Sequence, residues 1–179
     1  SVTGYGTATV FERSVHEHYT FQCRVERQPI FGLTFNLPAG LSPVNVAGDG
    51  VEDWDFDSQE RTINVSLSKG VTDRKTYRLF LERRLPSGAD TVNLGGVTVA
   101  GADEQAGWFG AGTQGNLELS PTDARGTNPI PVGQVPRLVS AHGDVSFAYR
   151  WSGEDWGVES DVRRLRPRIE AQTRTALIF

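Results

Sequence analysis

Apolar and polar residues alternate one by one along most of this chain, and that period constrains the fold more than any other feature. Tyr19, Phe21, Cys23 and Val25 alternate with Thr20, Gln22, Arg24 and Glu26. Successive side chains of an extended strand point to opposite faces, so such a run buries one face and wets the other. Phe31, Leu33, Phe35 and Leu37 repeat the pattern until Pro38 and Gly40 interrupt it. The same spacing returns at Ile63, Val65 and Leu67, at Tyr77, Leu79 and Leu81, and at Val97 and Val99. It continues at Leu117 and Leu119, at Val145, Phe147 and Tyr149, at Val158 and Val162, and from Ile169 to Phe179. Turn-forming residues separate the runs, as in Ala47-Gly48-Asp49-Gly50, Asp57-Ser58-Gln59-Glu60, Pro86-Ser87-Gly88 and Ser152-Gly153-Glu154-Asp155.

About ten strands with frequent turns predict an all-β fold, an antiparallel β-sandwich with little or no helix. Only Asp103 to Ala106 and Val135 to Ala141 have room for a helical turn. A parallel α/β sheet needs long crossover helices, and none is encoded. The stretch 120–136 carries Pro121, Pro129, Pro131 and Pro136. If it were a linker, the piece beyond it would be too small to hold a β core alone. It is therefore expected to cross between sheets of a single domain spanning 1–179. The expected core is Phe21, Phe31, Leu33, Phe35, Ile63, Val65, Leu79, Phe147 and Val162.

Charge and cysteine content remove several classes of function. Lys and Arg number 18 against 22 Asp and Glu, a net charge of -4. Nucleic-acid binding needs a basic face, so it is not expected. A single cysteine, Cys23, excludes an intrachain disulfide framework and a multi-cysteine zinc site. No run reaches the roughly 18 apolar residues of a membrane helix. Lys69 and Lys75 are the only lysines, and methionine is absent. This arginine bias points to a GC-rich bacterial genome. The closing run without a following turn is read as a piece of a longer protein.

Few residues point to chemistry. No cofactor is expected; calcium is the one candidate, with Asp53, Asp55 and Asp57, which project from one strand face, as its candidate oxygen ligands. An EF-hand loop fails here, because Ser58 and Asn64 stand where glycine and glutamate are required. The alternative is a solvated edge whose like charges discourage association. His16 and His18 share a face, but zinc needs further ligands, and His142 is the only other histidine. Cys23 lies at apolar parity and reads as a small buried hydrophobe. No GxSxG elbow occurs, and no acid is read as lying in an apolar run that would raise its pKa. A catalytic role is not expected. Trp108 lies in the glycine-rich run Gly107-Trp108-Phe109-Gly110. Trp151 and Trp156 flank the turn that holds Glu154 and Asp155. With Asp155 nearby, these rings are candidates to stack on a sugar or anchor a partner, unless they fill the core. Arg163, Arg164, Arg166 and Arg168 form a local basic run.

Gly107-Trp108-Phe109-Gly110, Leu117-Glu118-Leu119, Val135-Pro136-Arg137-Leu138 and Phe147-Ala148-Tyr149-Arg150 together resemble β-rich modules of large bacterial envelope and surface proteins. The resemblance covers the C-terminal 70 residues or so and brings no catalytic residues. It implies an extracytoplasmic module, periplasmic or on the cell surface, whose partners are other domains of its chain or other proteins. The expected function is structural or interactive. A carbohydrate-binding module is the first alternative and a domain of a multi-domain enzyme the second.

Overall fold

The computed structural model describes residues 1–166. The expected strand from Ile169 to Phe179, and Arg168 of the basic run, lie outside the described residues. Among the described residues, twelve strands run in the order β1 (Val2–Val10), β2 (Ser14–Asn36), β3 (Ser42–Gly48), β4 (Val51–Asp57), β5 (Thr62–Arg84) and β6 (Thr91–Leu94), then β7 (Thr98–Val99), β8 (Gln105–Thr113), β9 (Leu117–Arg125), β10 (Thr127–Ile130), β11 (Phe147–Ser152) and β12 (Gly157–Arg164). The described helix is limited to a 3₁₀ turn at Val132–Gln134 and one short helix, α1 (Arg137–Ser140). The fold is all-β. Asp103–Ala106 is not helical, since Gln105 and Ala106 open β8.

Nine strands form a large sheet in the order β10-β11-β8-β1-β2-β5-β3, with β4 also on β5 and β7 also on β2. A second sheet has the order β6-β12-β9. One ladder departs from the antiparallel expectation: β1 pairs with β8 in parallel, Val2 opposite Gln105 through Val10 opposite Thr113. Alternation fixes which face a residue takes but says nothing of the direction of its neighbour. The long excursion through β2 to β7 brings the chain back beside β1 in the same sense.

The two sheets bury one core between them. Odd-numbered residues of β2 (Val15, Tyr19, Phe21 and Cys23) face inward, joined by Phe109 of β8 and Trp151 of β11. Leu94, Trp156, Val158 and Val162 cover them from the small sheet and its entry. Phe31 departs from the expected core: it is 68% exposed. It follows the break in β2–β5 register between Val25 and Ile30, where the alternation no longer maps onto one continuous face. Leu33 and Phe147 are only half-buried. The proline-rich stretch leaves the small sheet at the end of β9, turns at Gly126 (φ 61°), and enters the large sheet as β10. It then lays α1 on the outer face of the large sheet, where Thr7 Oγ1 donates to the Val139 carbonyl at 2.5 Å.

Candidate functional site

Trp151 and Trp156 are not surface rings. Each is 2% exposed, and they stack on one another at 4.7 Å with their planes 7° apart. Trp156 also meets Phe109 edge-on at 5.3 Å, and its Nε1–H donates to the Val97 carbonyl. Gly4 makes this possible. A Cβ there would stand 2.5 Å from the Trp151 ring and 2.9 Å from Phe21. The sugar-stacking role expected of Trp151 and Trp156 is therefore corrected, because a stacked indole pair in a closed core has no face left for a ligand. Asp155 remains exposed and pairs with Arg125 at 3.3 Å.

Trp108 faces the opposite side of the large sheet. Its strand neighbours flank it, Tyr5 from β1 and Arg150 from β11. Tyr5 stacks on the indole at 5.3 Å, and the Arg150 guanidinium sits 3.9 Å from the ring centroid. With one neighbour on each side, both faces of the indole are occupied. The row gains stacking and cation–π energy from within the protein.

The acidic strand does not converge on an ion. Asp53, Asp55 and Asp57 occur at alternate positions of β4 and are exposed, about 6–7 Å apart along the strand. Asp57 Oδ1 accepts from the backbone N–H groups of Gln59 and Glu60, which closes the turn. Asp55 Oδ1 accepts from Asn64 Nδ2 at 3.2 Å. Among the described residues, no group of three His, Cys, Asp or Glu side chains is placed to share a metal. The calcium expectation at these three residues is corrected on that geometry.

The three histidines do meet. His18 lies between Phe80 at 4.5 Å and His142 at 4.7 Å, nearly parallel to both. His16 packs on Phe11 and Phe80, with Nε2 3.9 Å from Glu82. Burial holds the His18 imidazole below its ordinary pKa, helped by His142 and His16. This stack pins the segment that carries α1 to the outer sheet face. Cys23 is buried, and burial pushes its thiol up to about 11, so at neutral pH it is the protonated, unreactive form. In the basic run, Arg163 binds Glu118 at 3.0 Å, and Arg164 donates to the Ala89 carbonyl at 2.8 Å.

Among the described residues, the most perturbed carboxyl breaks the alternation of β2. Glu17 occupies the inward parity of β2, between Val15 and Tyr19, and is fully buried. Its Oε1 accepts from Tyr19 Oη at 2.5 Å and from the Gly95 N–H at 3.1 Å. Oε2 receives no hydrogen bond from the described residues, nor do Nε and Nη2 of Arg83 make one. Burial pushes the carboxyl up from 4.5 to about 7, against the pull of the Tyr19 hydroxyl, the Arg83 charge and the Gly95 N–H. The reading that no acid lies in an apolar run is thus overturned. The apolar parity begins at Val15, two residues before Glu17, so the acid lies within the run and not ahead of it. Chemically, Glu17 can exchange a proton near neutrality, but it lies sealed between the two sheets and ties β2 to the loop at Gly95.

No family model matches this sequence, and no curated protein matches it either. Solved structures do match the fold. An M1 zinc metallopeptidase from Deinococcus radiodurans superposes with a TM-score of 0.51 at 10% identity, over 89% of this chain and 42% of that chain. Yeast LTA4 hydrolase in complex with bestatin gives 0.47 at 10% identity, over 89% of this chain and 28% of that one. The chain thus spans less than half the length of these neighbours. What it shares with the Deinococcus enzyme is the all-β fold.

Proposed function

We propose that this chain is a non-catalytic structural and interaction domain of a larger multi-domain protein. The observation that carries the reading is one of proportion. The shared fold takes in 89% of this chain but only 42% of the metallopeptidase chain. The placement of the side chains supports the same reading. Trp151 and Trp156 serve packing, the one strongly perturbed acid among the described residues is sealed in the core, and the exposed Asp57 closes its own turn. In this reading the domain braces the parts of its protein that carry chemistry, and its partners are those parts or other proteins. The arginine bias leads us to assign the chain to a bacterium, and the envelope-module resemblance to place it outside the cytoplasm.

An antibody raised against residues 1–166 tests the proposal in cells of the source organism. The expected band migrates well above the 19.6 kDa of this chain, and fractionation finds it in the periplasm or at the surface. A 19.6 kDa product that elutes alone, with no partner, would refute the domain reading. A cytoplasmic band would refute the location only.

A further inference from the structure

We propose that segment 131–146, which carries α1 across the outer face of the large sheet, is a latch that mild acid opens through the stacked pair His18 and His142. The segment connects β10 to β11, yet its His142 reaches past β8 and β1 to meet β2. Glycines of β8 reserve its bed. A Cβ at Gly110 would stand 2.9 Å from both Val139 and Val145, and one at Gly112 would run into the Asp144 carbonyl. Val139 is fully buried in that bed. Little polar bonding holds the segment down. Among the described residues, two hydrogen bonds tie it to the sheet: Thr7 Oγ1 donates to the Val139 carbonyl, and the Ser146 N–H donates to the Ala111 carbonyl. Those bonds reach only β1 and β8, so the histidine stack on β2 is the farthest anchor.

The stack accepts one proton and resists a second. His18 lies between Phe80 at 4.5 Å and His142 at 4.7 Å, within 8° of parallel to both. A single imidazolium there still faces an aromatic ring, which favours it. Two imidazolium rings at that spacing repel one another. The surroundings relieve this little. From β5, Arg78 lines the hollow on one side of the pair and adds a like charge. From β2, His16 lines the hollow on the other side, with its Nε2 3.9 Å from Glu82. Asp144, from the segment itself, is the one carboxylate lining either hollow. His142 is exposed and takes the first proton. Burial holds the His18 imidazole below its ordinary value of 6.5, helped by His142 and His16. Lifting the segment wets His18 and parts the two rings, so the open form binds more protons than the latched one. The latch is therefore closed above pH 6.5 and loses its hold as pH falls below that value. Glu17, buried on the core side of β2, works in the opposite sense, because its proton favours the folded core. Acid thus loosens the segment without loosening the sheet beneath, and it uncovers the outer strip of Thr7, Thr9, Gly110 and Gly112.

Amide hydrogen exchange on the full 179-residue chain, at pH 7.5 and pH 5.0 and corrected for the intrinsic pH dependence of exchange, tests the latch. From the higher to the lower pH, the amides from Val139 to Ser146 should lose about tenfold in protection, the effect of one linked proton over about one pH unit. The amides of β1 and β2 should keep theirs. His142→Phe, at an exposed position, leaves a flat ring to stack on His18 but no site for a proton, and should keep the segment protected at both pH values. His16→Gln, outside the stack, should leave the opening in place. By proton NMR, the His18 ring of the wild type should titrate below 6.5. Three results would overturn the proposal: equal protection of the segment at pH 7.5 and 5.0, the same loss in His142→Phe as in the wild type, or a loss at pH 5.0 shared equally by β1 and β2.

Discussion

Replacing Glu17 by glutamine should remove a pH-dependent weakness built into the core. The carboxyl titrates at about 7 in the folded chain against 4.5 in the open one. A raised folded pKa means that the folded state holds the proton more tightly. The favourable contribution is therefore full below pH 4.5 and is lost as pH rises towards 7. The shift of about 2.5 units corresponds to roughly 3 kcal/mol, at 1.36 kcal/mol per unit. Glutamine keeps an oxygen where Oε1 accepts from Tyr19 and Gly95, and it places a neutral group where Oε2 lies. It thus mimics the protonated acid at every pH. Urea unfolding of both proteins from pH 4 to 8.5 isolates the effect, because other titrating groups cancel in the difference. Below pH 4.5 the two stabilities should differ by a constant. Above pH 7 the glutamine variant should have gained up to about 3 kcal/mol on the wild type, or about 6–12 °C in thermal midpoint for a chain of this size. A stability difference that stays flat from pH 4 to 8.5 would refute the reasoning.

Other perturbations probe the remaining features. Gly4→Ala drives a methyl into the Trp151 and Phe21 rings and should cost about 1–3 kcal/mol by chemical denaturation, with a change in tryptophan fluorescence in the native state. Trp156→Ala opens the core and removes the donor to Val97, and should cost about 3–5 kcal/mol. Titration with oligosaccharides should leave the emission of the Trp151–Trp156 pair unchanged, because neither ring reaches solvent; a saturable shift abolished by Trp151→Phe would overturn this. Adding calcium, or removing it with a chelator, should move the thermal midpoint by less than a degree, since Asp53, Asp55 and Asp57 do not converge. Thr7→Val removes the bond to the Val139 carbonyl and should cost about 1 kcal/mol, with faster amide exchange across α1.

What could be read from the sequence, and what could not, follows from what a period of two encodes. Parity assigns each residue to a face, so Phe21, Phe35, Ile63, Val65, Leu79 and Val162 are buried where their alternation puts them. Parity says nothing of which strands lie side by side. The parallel β1–β8 ladder, the Tyr5–Trp108–Arg150 row and the meeting of His18 with His142 all come from pairings between distant segments. It also fails where the register breaks: Phe31, just beyond such a break, is exposed although its parity matches that of buried Phe35. The tryptophans at the last hairpin illustrate a different limit. Flanking a turn is compatible with exposure or burial, and what decided it was the small residue at Gly4, far away in sequence, whose missing side chain makes room for Trp151. Glu17, by contrast, was visible, because a charged residue at apolar parity within Val15-Glu17-Tyr19-Phe21 breaks the local rule. Such a break costs stability unless partners compensate. Here Tyr19 and Gly95 compensate only one oxygen. The residual cost falls on the carboxyl as a raised pKa, which makes this strand the place where the fold should respond most strongly to a change of pH near neutrality.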